Sequence, residues 1–232
     1  MTLSTIGLIF VAGILPALLW LFFWLREDRL HPEPKKTLAI SFTFGMFMVP
    51  VAYFVQKGFI SFVAYGPMLV IIWAGAEELL KLFASLLSTT IGKRYYDEPI
   101  DALIYMITVA LGFSALENCL FLFSEILDKG ILDGLITSNL RFIGSSLLHI
   151  LTSGTVGAFL AFAFYKSRAK KILYAIIGII IASTLHAEFN ILLMKEKYLE
   201  KSFYIFSAVW VAIILLLVTF EKIKKFPLKP KT

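Results

Sequence analysis

Ala74-Gly75-Ala76-Glu77-Glu78-Leu79-Leu80-Lys81 places two adjacent carboxylates and a lysine inside a run, Phe59 to Ser88, otherwise suited to lipid. Ionisable residues inside a membrane span are rare and costly unless paired, and they mark function by default. On a helix, Glu77 and Lys81 are an i,i+4 pair and Glu78 and Lys81 an i,i+3 pair, so the lysine can partly neutralise either carboxylate. A buried ion pair that only fixes helix packing is the bland alternative. The rest of the chain decides between the two.

The 232 residues are 59% hydrophobic, and the mean hydropathy is +0.85. Soluble domains are nearer about 45–50% apolar, so the composition predicts an all-α, polytopic transmembrane bundle. Seven runs are long enough to cross: about 4–25, 37–55, 61–90, 101–127, 139–164, 172–194 and 202–220. The third is overlong, and Gly66-Pro67 is placed to break it. A short extra segment at 59–66 would not cross by itself. The N-terminus lacks a basic n-region and its first apolar run can span, so it reads as a span, not a cleavable leader. Residues 1–221 form one membrane domain, with a basic tail at 222–232. Cys119 is alone, which excludes an intrachain disulfide and a cysteine-based zinc cluster.

The net charge of +6 comes from lysines and arginines clustered between apolar runs and at the C-terminus, a membrane-topology pattern that calls for no nucleic acid. Arg26, Arg29, Lys35, Lys36, Lys93, Arg94, Lys166, Arg168, Lys170, Lys171 and the tail lysines lie on one side. The other side has only Lys57, Lys129, Arg141, Lys195, Lys197 and Lys201. The positive-inside rule therefore predicts an external N-terminus and a cytoplasmic C-terminus.

Costly groups recur in the helices that follow: Glu117 and Asn118 in the fourth, His149 in the fifth, His186 and Asn190 in the sixth. With the predicted topology, Glu77, Glu117, His149 and His186 each lie roughly ten residues from the outer end of their helix. At ~1.5 Å per residue that is about 15 Å deep, near the middle of a ~30 Å core. Independent ion pairs have no reason to share a depth; one polar site does. Ser145, His149, Ser153, Gly157 and Ala161 recur every four residues, as do Gly178, Ala182, His186 and Asn190. Small residues in line with a histidine turn that face towards neighbouring helices. Glu188 lies on another face, and Glu125 and Asp128 read as boundary charges.

Carboxylate, imidazole and amide are the parts of a water-activating hydrolytic centre. Two histidines and a carboxylate also match a His₂Glu zinc set, here assembled from separate helices because the HExxH spacing is absent. The same groups suit a proton-coupled transporter or channel, although the internal repeats or broken helix pairs expected of one are not visible.

Glu77-Glu78-Leu79-Leu80-Lys81 is an EExxK motif, Phe113 to Asn118 reads FxxxEN, and His186 to Asn190 reads HxxxN, with His149 standing alone between them. This ordered set resembles the PrsW family of intramembrane proteases, distantly similar to the prenyl-protein (CAAX) endopeptidases. His31-Pro32-Glu33-Pro34 and Tyr96-Asp97-Glu98-Pro99-Ile100-Asp101 fit the family too. Ala102-Leu103 departs from it, where a glycine would be expected after the aspartate. The resemblance implies a plasma-membrane endopeptidase acting on a membrane-anchored protein, with relatives that cut an anti-sigma factor as the first step of a proteolytic cascade. It implies a site of Glu77, Glu78, Lys81, Glu117, Asn118, His149, His186 and Asn190. In it Glu77 is the base or a metal ligand, and His149, His186 and Glu117 are the candidate zinc ligands. A metal-free glutamate mechanism stays open. Asn190 is the oxyanion donor, and Asp101 caps the fourth helix.

Overall fold

The computed structural model describes residues 2–27, 32–195 and 199–226, without the side chains of 137–143, 195 and 199–202. Arg29, His31, Lys197 and the last tail lysines lie outside the described residues. Seven helices are present among the described residues: α1 (Leu3–Glu27), α2 (Lys35–Ile60), α3 (Pro67–Ile91), α4 (Pro99–Lys129), α5 (Ile131–Phe162), α6 (Arg168–Lys195) and α7 (Leu199–Ile223). Six of them contain a stretch long and apolar enough to cross a membrane. The seventh, α3, matches them in length at 25 residues and is set apart by Glu77, Glu78 and Lys81.

The break expected within the overlong third run falls at Gly66-Pro67. Gly66 precedes α3 and Pro67 opens it, because proline tolerates the first helical turn, where its missing N–H is not needed. Residues 59–66 add no helix of their own: α2 ends at Ile60 and turns lead to Gly66. α5 starts earlier than expected. It begins directly after Gly130, whose φ of 85° is the left-handed conformation that glycine adopts without steric cost.

α4 is the axis of the bundle. Every residue from Pro99 to Ala115 is buried, as expected of a helix apolar on all sides. α5 packs along it, α2 and α1 pack on its other faces, α3 lies between α2 and α6, and α7 leans on α5. Backbones touch where side chains are absent. A Cβ on Gly45 of α2 would meet the Val109 carbonyl of α4 at 2.0 Å, and one on Gly112 of α4 would meet the Phe42 carbonyl at 1.9 Å. A Cβ on Gly157 of α5 would meet the Leu103 Cα at 2.8 Å and the Ala102 carbonyl at 2.9 Å. Such contacts replace hydrophobic association, which contributes little between helices already in lipid.

The two loop segments singled out in the sequence meet at one end of α4. Asp101, in the first turn, accepts the backbone N–H groups of Asp97 and Glu98 at 2.8 Å each and completes a capping box with Glu98. Glu33 is buried against it and accepts the Tyr105 hydroxyl. Burial, helped by Asp97 and Glu98, pushes the Glu33 carboxyl above its ordinary range despite that hydrogen bond. Burial and then Asp101 do the same to the Tyr96 phenol. Cys119 lies under α1 at Gly13, away from the polar cluster described next.

Candidate active site

Adjacent residues on a helix point about 100° apart, so Glu77 and Glu78 cannot share an environment. Glu78 faces α5 and α6 and is fully buried. Its Oε1 accepts Lys81 Nζ at 2.6 Å, Thr152 Oγ1 at 2.9 Å and His186 Nδ1 at 2.7 Å; its Oε2 accepts Ser153 Oγ at 3.3 Å. A carboxylate offers roughly four acceptor sites, so Glu78 is saturated.

Glu77 is different. Its Oε1 accepts the amide of Gln56, on α2, at 2.7 Å. Its Oε2 is buried without a hydrogen-bond partner and stands 3.7 Å from His186 Nε2. Buried acceptors are nearly always satisfied, so an orphan of this kind calls for an explanation such as an ion or a water.

The two histidines are held in different tautomers. His186 gives Nδ1–H to Glu78, which leaves a lone pair on Nε2 directed towards Glu77. That is the carboxylate–histidine arrangement that orients a metal ligand. His149 lies between Lys81 Nζ, 2.9 Å from its Nδ1, and Glu117 Oε2, 2.9 Å from its Nε2. A lysine ammonium can only donate. His149 therefore accepts at Nδ1, and a neutral ring carries its proton at Nε2 and donates to Glu117. Ser145 adds a bond to the same Glu117 oxygen at 3.2 Å. The two imidazoles meet edge to face, centroids 5.3 Å apart, and Phe113 lies against both His149 and the Lys81 ammonium.

Of the eight residues expected from sequence, Glu77, Glu78, Lys81, Glu117, His149 and His186 are thus joined in one cluster, buried except for the partly exposed Glu117. Asn118 is not in it. One position on from Glu117, it turns towards Ser114 and Ser146 in the contact between α4 and α5. Asn190 lies one turn past His186, half-buried, and among the described residues takes no part in the cluster's hydrogen bonds. Four further side chains bond to the cluster carboxylates: Gln56, Thr152, and Ser145 and Ser153, which the sequence showed only as small residues on the His149 face. Thr152 is legible only as the residue one turn from His149, and Gln56 only as an uncharged amide ending the apolar run of α2.

The donor set can hold a metal ion, with His149 joining once its Nε2 proton is released. Glu77, His149 and His186 each offer one ligand atom, all within 4.8 Å of one another, and Glu77 has an oxygen with nothing else to bind. Glu77 takes the carboxylate place for which Glu117 is the first candidate from sequence and Glu77 the alternative. Glu117 instead receives His149.

Fold and site together define a multi-pass integral membrane protein with a histidine–carboxylate centre buried among its helices, the class of an intramembrane hydrolase. The chain belongs to the PrsW family: residues 33–219 match the family described as PrsW family intramembrane metalloprotease. It is 25% identical to protease PrsW of Clostridioides difficile strain 630, over 94% of this chain and 91% of that protein. It is 24% identical to protease PrsW of Bacillus subtilis strain 168, over 78% of this chain and 81% of that one. The corresponding protein of Geobacillus kaustophilus HTA426 is 26% identical over 81% and 80%. No solved structure matches. The chain is an intramembrane protease of the plasma membrane, and the transporter reading is set aside.

Proposed function

We propose that the chain is an endopeptidase that hydrolyses one peptide bond of a membrane-anchored protein of the anti-sigma-factor kind, opening a regulated proteolytic cascade. Glu77 is the base that activates the attacking water in the metal-free version, and a metal ligand in the metal version. The observation that carries this is its buried Oε2, without a partner and facing the His186 Nε2 lone pair. Glu77 and His186 are also the two groups prepared to hold zinc, with His149 as the third ligand. A zinc ion bound there would lower the pKa of its water to about 7. Glu78 and Lys81 fix the His186 and His149 rings, and Asn190, one turn past His186, is the oxyanion donor of this reading.

The His149 tautomer also supports a metal-free version. With Nε2 protonated, His149 serves as a proton donor between the site and Glu117, and coordination through Nε2 would first require that proton to leave. The experiment is cleavage of a single-span substrate by detergent-purified protein, with metal analysis of the same preparation. Loss of cleavage in Glu77→Gln is expected; full activity in that variant would refute the assignment of the base. About one equivalent of zinc, lost on His186→Ala, supports the metal version. Wild-type activity surviving rigorous chelation would leave the metal-free version standing.

A further inference from the structure

We infer that Gln56 is a positioning residue of the protease: its side-chain amide clamps Glu77 Oε1 and so aims Glu77 Oε2 into the site. The inference rests on the proposed role of Glu77, and it concerns a residue on a helix that contributes nothing else to the cluster.

The geometry is direct. Glu77 Oε1 receives Gln56 Nε2 at 2.7 Å, shorter than the usual 2.9–3.0 Å of N–H···O bonds and in the range of charge-assisted ones. Since an ionised carboxylate only accepts, the amide must present its nitrogen there. Glu77 has no other hydrogen bond among the described residues. Its neighbour Glu78 is held by four side chains, whereas Glu77 depends on one. Without Gln56, the carboxylate could rotate about its terminal torsions, and the distance from Oε2 to His186 Nε2 would no longer be set.

Gln56 is itself held at its backbone. The indole N–H of Trp73, one turn before Glu77 on α3, donates to the Gln56 carbonyl at 3.2 Å. The last turns of α2 and the middle of α3 are thereby fastened to each other beside the catalytic carboxylate. A polar residue at this place has a reason to exist. Phe44 to Val55 is an unbroken apolar run, and an amide that follows it and reaches inward gains most where a carboxylate accepts it. Groups that orient a metal ligand or base from outside typically change metal affinity 10- to 100-fold when removed.

The test compares Gln56→Met, which keeps length and bulk but not the donor, with Trp73→Phe, which loosens only the backbone tie. Zinc affinity is read by chelator competition on purified protein, kcat and KM on a single-span substrate, and folding by thermal unfolding in detergent. Gln56→Met is expected to weaken zinc by about 10- to 100-fold, and to lower kcat by a similar factor with KM within about twofold. Its unfolding midpoint should be that of wild type. Trp73→Phe should keep zinc affinity within a few-fold. Wild-type zinc affinity and kcat in Gln56→Met overturn the inference, as does a loss that only tracks a lowered unfolding midpoint. If the wild-type protein binds no zinc, the metal version of the function fails separately. The kcat of Gln56→Met then decides the inference alone, because the clamp on Glu77 serves a glutamate base equally.

Discussion

Replacing each of the tandem glutamates by glutamine should give two inactive proteins of very different stability. Glu78→Gln keeps the shape but takes the countercharge from Lys81, whose ammonium is fully buried and 2.6 Å away. It also puts an NH₂ group where a carboxylate oxygen accepted donors. Breaking a buried pair on one side costs about 3–5 kcal/mol. A chain of this size loses roughly 2–4 °C of midpoint per kcal/mol, so the variant should unfold about 6–20 °C below wild type. Glu77→Gln removes no ion pair. Its amide oxygen can still accept Gln56, and the Oε2 position had no partner to lose. The expected change is within about 1 kcal/mol, the worth of one ordinary hydrogen bond. The assay is thermal unfolding in detergent beside cleavage of a single-span substrate. Adding Lys81→Met to Glu78→Gln should recover much of the lost stability, since the unpaired cation is then gone. Equal midpoints for the two single variants, or a larger loss in Glu77→Gln, would refute the division of labour described here.

His149→Ala and His186→Ala should both abolish cleavage, and a zinc-loaded preparation should lose its metal in each; retained metal in either variant would remove that histidine from the ligand set. A reporter fused to the C-terminus should be reachable only from the cytoplasm, as the distribution of lysine and arginine predicts; labelling from outside would invert the orientation. Glu33 makes a prediction with a sign. Its carboxyl is raised by burial, so the folded state binds that proton more tightly than the unfolded chain. The stabilisation is present below the ordinary glutamate range and is lost as pH rises through the elevated value. Glu33→Gln, which can still accept the Tyr105 hydroxyl, should therefore gain stability relative to wild type as pH rises across that window. A difference between the two proteins that does not change with pH would contradict the reading.

The helices were legible because lipid demands long apolar runs, and their ends were less so. α5 was expected from about residue 139 but starts at Ile131, because the helix runs on beyond the apolar stretch through a less apolar segment that holds Asp133, Thr137 and Ser138. Hydropathy finds the membrane, not the helix. The site was legible for a related reason: Glu77, Glu117, His149 and His186 each violate the composition of their span, and the common depth of the violations pointed to one centre. What sequence spacing could not supply was which atom of each group remains free. That depends on donors brought from other helices: Thr152 and Ser153 from α5 and His186 from α6 for Glu78, and Gln56 from α2 for Glu77. Placing the carboxylates next to each other makes such a division unavoidable. A 100° turn between neighbours sends one into the packed contact of α3 with α5 and α6, where only full hydrogen bonding makes burial tolerable. The other is left at the edge of that contact, with a single amide to hold it and one oxygen to spend on chemistry. Saturation of Glu78 is what allows Glu77 to remain unsatisfied, because Glu78 locks the His186 ring that Glu77 must face.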